Sequence, residues 1–251
     1  MSNHLHVVLQ TLPEVVAVWS DDEIAARWMR LFPRQDVNPA LQAEVLAGNP
    51  ERLAVLRGRL ANLSWFMRCL SEPIARAANR EDICKGRFWE GRFRCQVLLD
   101  QTAVIAAMAY VDLNPVRAEI CETLEDSAHT SARLRIREIA QDAPAAARPL
   151  APIAGIRGFC VLSMSQSEYL SLVDFTGREL RADKRGAIRG SPPAILGRLG
   201  YQSETWTRQV LAVKSDFSRA MGAVEVLVEK AAEIGQHWLR GIGVARRLAR
   251  N

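Results

Sequence analysis

Two histidines near the start of the chain, His4 and His6, place the strongest constraint on how it can fold. They flank one leucine within residues 3–10, a run rich in valine and leucine that predicts a buried strand. Alternate side chains of a strand point to one face, so both imidazoles are expected on the same side. Tyr110 and Asn114 lie four positions apart in a segment predicted to be helical, and that spacing puts them on one helix face.

Brought together, these four side chains offer two imidazoles and an amide oxygen for a divalent ion, beside a phenol. A phenol can attack a phosphodiester when it is aligned with phosphorus and a metal ion stabilises the phosphate charge. Each fragment also has an ordinary explanation, because strand histidines are often structural and Asn114 could cap a turn before Pro115. Either fragment alone favours a structural role, whereas the combination favours a catalytic site.

Three segments, in this order, carry a resemblance to a known family: residues 1–9 (MSNHLHVVL), 86–93 (GRFWEGRF) and 110–118 (YVDLNPVRA). Together they resemble the single-tyrosine transposases, in the branch associated with repetitive extragenic palindromes. The resemblance covers roughly the first half of the chain. A further stretch at residues 169–186 looks like an extension that some members carry.

The resemblance implies an α+β protein. Residues 1–141 would form a ferredoxin-like HUH nuclease domain with an antiparallel sheet, residues 142–152 a proline- and alanine-rich linker, and residues 153–251 a mainly helical extension. Family members place a strand and a helix ahead of the histidine strand, whereas this sequence begins three residues before His4. The resemblance therefore implies an N-terminally incomplete sheet with an exposed edge.

The resemblance also implies a function: cleavage and rejoining of single-stranded DNA beside a hairpin, as in DNA transposition. Tyr110 would form a 5′-phosphotyrosine link and release a 3′-hydroxyl, and His4, His6 and Asn114 would hold Mg²⁺ or Mn²⁺. By ligand preference alone, two imidazoles suit Zn²⁺ at least as well. Two other classes are a catalytically silent hairpin-binding remnant and a helical regulator whose basic C-terminal helices bind duplex DNA. Family members include monomers and dimers, so a homodimer is an open expectation.

Basic and aromatic residues are mixed at residues 85–94, as suits phosphates and unstacked bases. The candidate DNA contacts are Lys85, Arg87, Trp89, Arg92 and Arg94. An equal alternative places the aromatic rings in the core and the arginines in water. The formal net charge of +5 and the isoelectric point near 9.2 fit a nucleic-acid partner.

The five cysteines show neither close pairing nor metal-ligand spacing, and their odd number predicts reduced thiols. The first ten residues lack the basic region of a secretory signal. No apolar run approaches the roughly 20 residues of a membrane span. These features predict a cytoplasmic protein without a membrane partner, associated with the bacterial nucleoid when bound to DNA.

Overall fold

A computed structural model describes residues 5–33, 38–150, 164–180, 191–215 and 219–249. The chain is mostly helical and divides into two compact units. One unit is Leu9–Arg94 and is called here the Leu9–Arg94 unit. The other, called the Tyr110 unit, combines Met1–Val8 with Cys95–Asn251.

The Leu9–Arg94 unit is built from short capped helices around a small core. Its described helices are α1 (Pro13–Ala17), α2 (Asp21–Leu31), α3 (Pro39–Ala47), α4 (Pro50–Leu60) and α5 (Leu63–Glu81). Side chains of Ser20 and Asn49 accept backbone N–H groups at the starts of α2 and α4 and so cap both helices. The buried core comprises Val16, Ile24, Ala25, Leu53 and Leu56.

The guanidinium group of Arg57 joins α4 to the end of α1 and the start of α2. It donates to the carbonyl oxygens of Val16 at 2.9 Å and Trp19 at 2.6 Å, and to the carboxylate of Asp21 at 2.8 Å. Val16 lies in the last turn of α1 and Trp19 just past it, where carbonyl oxygens lack the amide partner four residues on that a helix interior provides. Arg57 supplies those partners.

The Tyr110 unit is organised around one long helix. Its described elements are β1 (Val97–Leu98), α6 (Gln101–Arg117), α7 (Ser131–Gln141), a 3-10 helix (Ala143–Ala147), α8 (Gln166–Glu179), α9 (Ala194–Arg198), α10 (Ser203–Ser215), β2 (Ala220–Met221), α11 (Val224–Glu233) and α12 (Ile242–Ala249). Helix α6 packs against α8 and α10, and most of its side chains are buried. A helix that is covered on several sides belongs in the centre of a helical core.

The predicted ferredoxin-like antiparallel sheet is wrong. Within the described residues the only strands are β1 and β2, which are parallel and pair Val97 with Ala220 and Leu98 with Met221. Residues 5–10, predicted as part of a buried strand, belong to no strand. The physical reason is that other helices, and not one face of a sheet, cover α6.

The predicted domain boundary at residues 142–152 stays a prediction. Ala143–Ala147 packs against α7 and α8 within the Tyr110 unit, and Leu150 N donates to Met164 O at 2.8 Å. Residues 151–163 lie outside the described residues, as do residues 181–186 of the stretch that looks like a family extension.

The carboxylate of Asp112 locks α6 to α7 and α8. Asp112 is 2% exposed, and its Oδ2 accepts the hydroxyl hydrogen of Tyr169 on α8 at 2.6 Å. Its Oδ1 accepts the backbone N–H of Ala132, in the first turn of α7, at 3.1 Å. Burial, followed by the charge of Asp112, raises the pKa of Tyr169 well above its ordinary value, so the phenol stays a donor.

A second carboxylate holds the start of α6. Asp100 Oδ1 accepts from Ala103 N at 2.8 Å and caps the helix. Asp100 Oδ2 accepts from Ala223 N, just before α11, at 2.6 Å. A Cβ atom on Gly222 would lie 2.9 Å from that oxygen, so the close approach of the two segments requires glycine.

We expect Asp112→Ala to lower the free energy of unfolding by about 3 kcal/mol, because it leaves two buried donors without an acceptor. Tyr169→Phe removes one donor and should cost about 2 kcal/mol. Urea denaturation followed by circular dichroism measures both. The control is Asp174→Ala on α8, whose carboxylate is half exposed and pairs with Arg178, and it should cost less than about 1 kcal/mol. Equal losses for Asp112→Ala and Asp174→Ala would contradict the locking role.

Candidate active site and nucleic-acid-binding segment

Helix α6 presents Tyr110 and Asn114 one turn apart. The helix passes through Pro115 and continues to Arg117, so Asn114 does not cap a turn before the proline. Pro115 lies in the last turn, where its missing N–H removes one intrahelical hydrogen bond. The C-terminal turn is still closed by Ala118 N, which donates to Asn114 O at 2.9 Å.

Three of the four predicted metal and nucleophile residues contact one another. Asn114 Nδ2 lies 3.4 Å from His6 Nε2 and 3.4 Å from the Tyr110 hydroxyl oxygen. The rings of His6 and Tyr110 meet edge to face, with centroids 5.8 Å apart. Tyr110 and Asn114 are 5% and 7% exposed, and His6 is half-buried. The fourth residue, His4, lies outside the described residues.

The spacing of His6 and Asn114 fits two ligands of one divalent ion. Ligands about 2.1 Å from an ion and about 90–110° apart lie about 3.0–3.4 Å from each other. The nitrogen and oxygen of an amide are assigned from their contacts, and a half-turn of the Asn114 amide puts Oδ1 where Nδ2 now lies. The described residues contain no group of three His, Cys, Asp or Glu side chains able to hold an ion. Asn114 is not of those types.

Arg117 adds a positive charge beside the phenol, and it was not among the predicted site residues. Its guanidinium carbon lies 4.9 Å from the centroid of the Tyr110 ring, although the side chain is exposed at the end of α6. No carboxylate in the described part of the chain pairs with it. The spacing in the sequence could have indicated Arg117, because positions 110, 114 and 117 share one helix face.

The five predicted DNA contacts all lie in the segment that follows α5, in the Leu9–Arg94 unit. Lys85, Arg87, Arg92 and Arg94 are exposed, and Trp89 is half-buried. Among the described residues, none of the four cations has an ion-pair partner. Their charges are therefore available to an anionic partner.

This segment folds back onto α5. The indole N–H of Trp89 donates to Ser71 O at 2.9 Å, and Asn79 Nδ2 donates to Gly86 O at 3.0 Å. Phe88 and Phe93 are 42% and 40% exposed. Of the two predicted alternatives for the aromatic residues, this placement favours rings that face solvent over rings in the core.

Comparisons with known proteins add no family. No protein-family model matches the chain, and no curated protein or solved structure matches it significantly. The resemblance to single-tyrosine transposases therefore stays a prediction. No helix in the described ranges is both long and apolar enough to cross a membrane.

We expect Trp89→Phe to loosen the segment at residues 85–94, because it keeps a ring but removes the N–H that binds Ser71 O. Trypsin should then cleave after Arg87 or Arg92 several-fold faster than in the wild type, by limited proteolysis and mass spectrometry. Phe88→Leu leaves that hydrogen bond intact and serves as the control. Equal cleavage rates for Trp89→Phe and the wild type would show that the hydrogen bond does not hold the segment.

Proposed function

We propose that this protein is a metal-dependent, single-tyrosine DNA strand transferase that cleaves and rejoins single-stranded DNA beside a hairpin, as in DNA transposition. One observation supports the proposal above all. The side chains of His6, Tyr110 and Asn114 meet, although 108 positions separate His6 from Asn114 in the sequence. An imidazole, an amide and a phenol in contact are the groups that this chemistry needs.

Tyr110 is the nucleophile in this proposal. Its hydroxyl oxygen attacks the phosphorus of the scissile bond, the phenolic proton is lost, and the departing 3′ oxygen becomes a hydroxyl. The new phosphotyrosine ester retains the free energy of the broken phosphodiester bond. A 3′-hydroxyl can therefore attack it and rejoin the strand without an external energy source. Arg117 covers one face of the Tyr110 ring and orients it.

His6 and Asn114, with the predicted contribution of His4, would hold Mg²⁺ or Mn²⁺. When bound, the ion supplies positive charge that stabilises the scissile phosphate. The half-burial of His6 limits the competing access of water to its ring.

The strand itself is proposed to contact residues 85–94. Lys85, Arg87, Arg92 and Arg94 offer charge to the phosphates, and the exposed rings of Phe88 and Phe93 offer stacking surfaces to unpaired bases. Phosphate contacts set affinity and position without reading sequence.

A second candidate function is hairpin binding without cleavage. The low exposure of Tyr110, 5%, favours it, because a nucleophile must reach its phosphorus. In this function the contact among His6, Tyr110 and Asn114 only packs the start of the chain against α6. The two candidates differ in whether a covalent product forms.

Incubation with a labelled single-stranded hairpin and Mg²⁺ or Mn²⁺ should give a covalent protein–DNA adduct on a denaturing gel. We expect Tyr110→Phe to abolish the adduct, because it removes the attacking oxygen and keeps the ring. Asn114→Ala and His6→Ala should reduce adduct formation at least about 100-fold, the scale on which loss of a catalytic positioning group acts.

Two matched variants define the outcome. Tyr201→Phe, on another tyrosine of the same unit, should leave the adduct unchanged. Hairpin binding by Tyr110→Phe should match the wild type in an electrophoretic shift assay. An adduct that persists in Tyr110→Phe would identify a different nucleophile. Tight binding with no adduct in the wild type would support the second candidate.

Arg92→Gln should weaken hairpin binding and lower the slope of log affinity against log salt by about 0.7–0.9, the value of one phosphate contact. The control is Arg178→Gln, since that exposed arginine is paired with Asp174. Fluorescence anisotropy at several salt concentrations measures both. An unchanged slope for Arg92→Gln would show that Arg92 makes no phosphate contact and would contradict DNA binding by the segment at residues 85–94.

A further inference from the structure

A group of stacked arginine and aromatic side chains lies at the junction of α2, α4 and α5, away from residues 85–94 in sequence. We call it the Trp65 cluster, and its members are Trp28, Phe32, Arg59, Trp65 and Arg68. The Arg59 guanidinium carbon lies 4.2 Å from the Trp65 ring centroid and 5.8 Å from that of Trp28. Arg68 lies 5.0 Å from the Trp65 centroid. The rings of Trp28 and Trp65 meet edge to face at 6.0 Å.

Arg59 lies over the Trp65 ring, and among the described residues its N–H groups have no acceptor. It is half-buried, and within the described residues its guanidinium group makes neither an ion pair nor a hydrogen bond. A guanidinium group carries five N–H donors at its edge, and stacking uses none of them. A half-buried cation fixed in this way is oriented in advance for an anion such as phosphate.

Arg27 provides a contrast within the same unit. It stacks on Trp19 at 3.9 Å, closer than Arg59 stacks on either ring. Its edge, however, donates to the carboxylate of Glu23 at 2.7 Å and 3.1 Å. The same interaction also has an internal counterion at Arg68, whose Nε lies 3.4 Å from Glu72 Oε2, whereas Arg59 has none within the described residues.

Aromatic surface is also accessible at this place. Phe32 is 39% exposed and packs on Trp28 with ring centroids 4.5 Å apart, and Phe66, beside Trp65 in the sequence, is 48% exposed. Solvent-facing rings beside cations are the combination that proteins use to bind single strands, through stacking of bases and pairing with phosphates.

Charge is distributed unevenly along the unit. Residues 9–51 contain three basic and seven acidic side chains, whereas residues 52–94 contain ten basic and four acidic side chains. The Trp65 cluster takes both of its arginines from the basic half. The segment at residues 85–94 also belongs to this half and folds back onto α5, the helix that carries Trp65 and Arg68. Helix α5 thus carries part of the Trp65 cluster and also contacts the segment at residues 85–94.

We propose that the Trp65 cluster is a second contact for single-stranded nucleic acid. Arg59 binds phosphate oxygens, and Phe32 with the outer surface of Trp28 stacks on an unpaired base. This contact is independent of the chemistry proposed for Tyr110, since all its residues belong to the Leu9–Arg94 unit. A purely structural role is the rival explanation, because the unit has few buried residues and cation–aromatic stacking also stabilises packing.

The test measures binding of a fluorescein-labelled 20-nucleotide oligothymidine by anisotropy. It uses the full chain carrying Tyr110→Phe, in EDTA, so neither cleavage nor a metal ion contributes. We expect Arg59→Gln to weaken binding at least about fivefold and to lower the salt slope by about 0.7. Phe32→Leu should weaken binding at least about fivefold with little change in slope. The control, Arg27→Gln, removes a stacked arginine that already has a counterion and should bind as the parent does.

Three further arms make the result decisive. Thermal unfolding of each variant shows whether Arg59→Gln is folded, and if it is not, Phe32→Leu decides. An abasic 20-mer should bind at least about fivefold more weakly than oligothymidine. A 20-base-pair duplex should bind the parent and Phe32→Leu with equal affinity, because its bases are already paired and stacked.

The proposal is overturned if a folded Arg59→Gln or Phe32→Leu binds as the parent does, or if Arg27→Gln weakens binding equally. Equal affinity for the abasic strand would also overturn it, because charge alone would then explain binding. Loss of thermal stability with unchanged binding would establish the structural role instead. Covalent adduct formation on the hairpin, measured with Tyr110 present, would support the function proposed above whatever this test shows.

Discussion

Burial of the Asp112 carboxylate is the constraint on which the rest of the Tyr110 unit depends. An uncompensated buried charge costs several kcal/mol, so its two acceptors must be satisfied, and they are satisfied by the first turn of α7 and by Tyr169 of α8. Asp112 lies two positions from Tyr110 and from Asn114, which turns it toward the opposite side of α6. Fixing the Asp112 side therefore sets the rotation that points Tyr110 and Asn114 at His6.

Local signals in the sequence predicted the parts of the fold that depend on local contacts. The shared face of Tyr110 and Asn114 follows from helix geometry, and the structure confirms it. Strands depend on a distant partner, and residues 5–10 have none that the structure describes, so the sheet predicted from the resemblance was wrong. The bond between Asp112 and Tyr169 joins residues 57 positions apart, and no spacing rule indicates it.

The two units carry different candidate functions: the Tyr110 unit carries the proposed chemistry, and the Leu9–Arg94 unit carries the proposed nucleic-acid contacts. The contacts of Tyr110 with Asn114 and His6 are largely buried, and Arg117 adds a charge beside them, which suits chemistry that requires alignment more than attraction. The basic half of the Leu9–Arg94 unit has exposed cations and rings, which suits binding that salt weakens. Arg59 and Arg27 both lie over a tryptophan ring, but only Arg27 has a counterion, so the charge without an internal partner marks the expected contact.

The central claim is that His6 and Asn114 form a cation site beside Tyr110. The most direct measurement is ¹⁹F NMR of protein labelled with 3-fluorotyrosine, which gives one signal for each of the three tyrosines. On titration with Mn²⁺, the Tyr110 signal should broaden first, and His6→Ala should remove this selective broadening. Broadening of all three signals together, or selective broadening of Tyr110 that survives in His6→Ala, would contradict the claim.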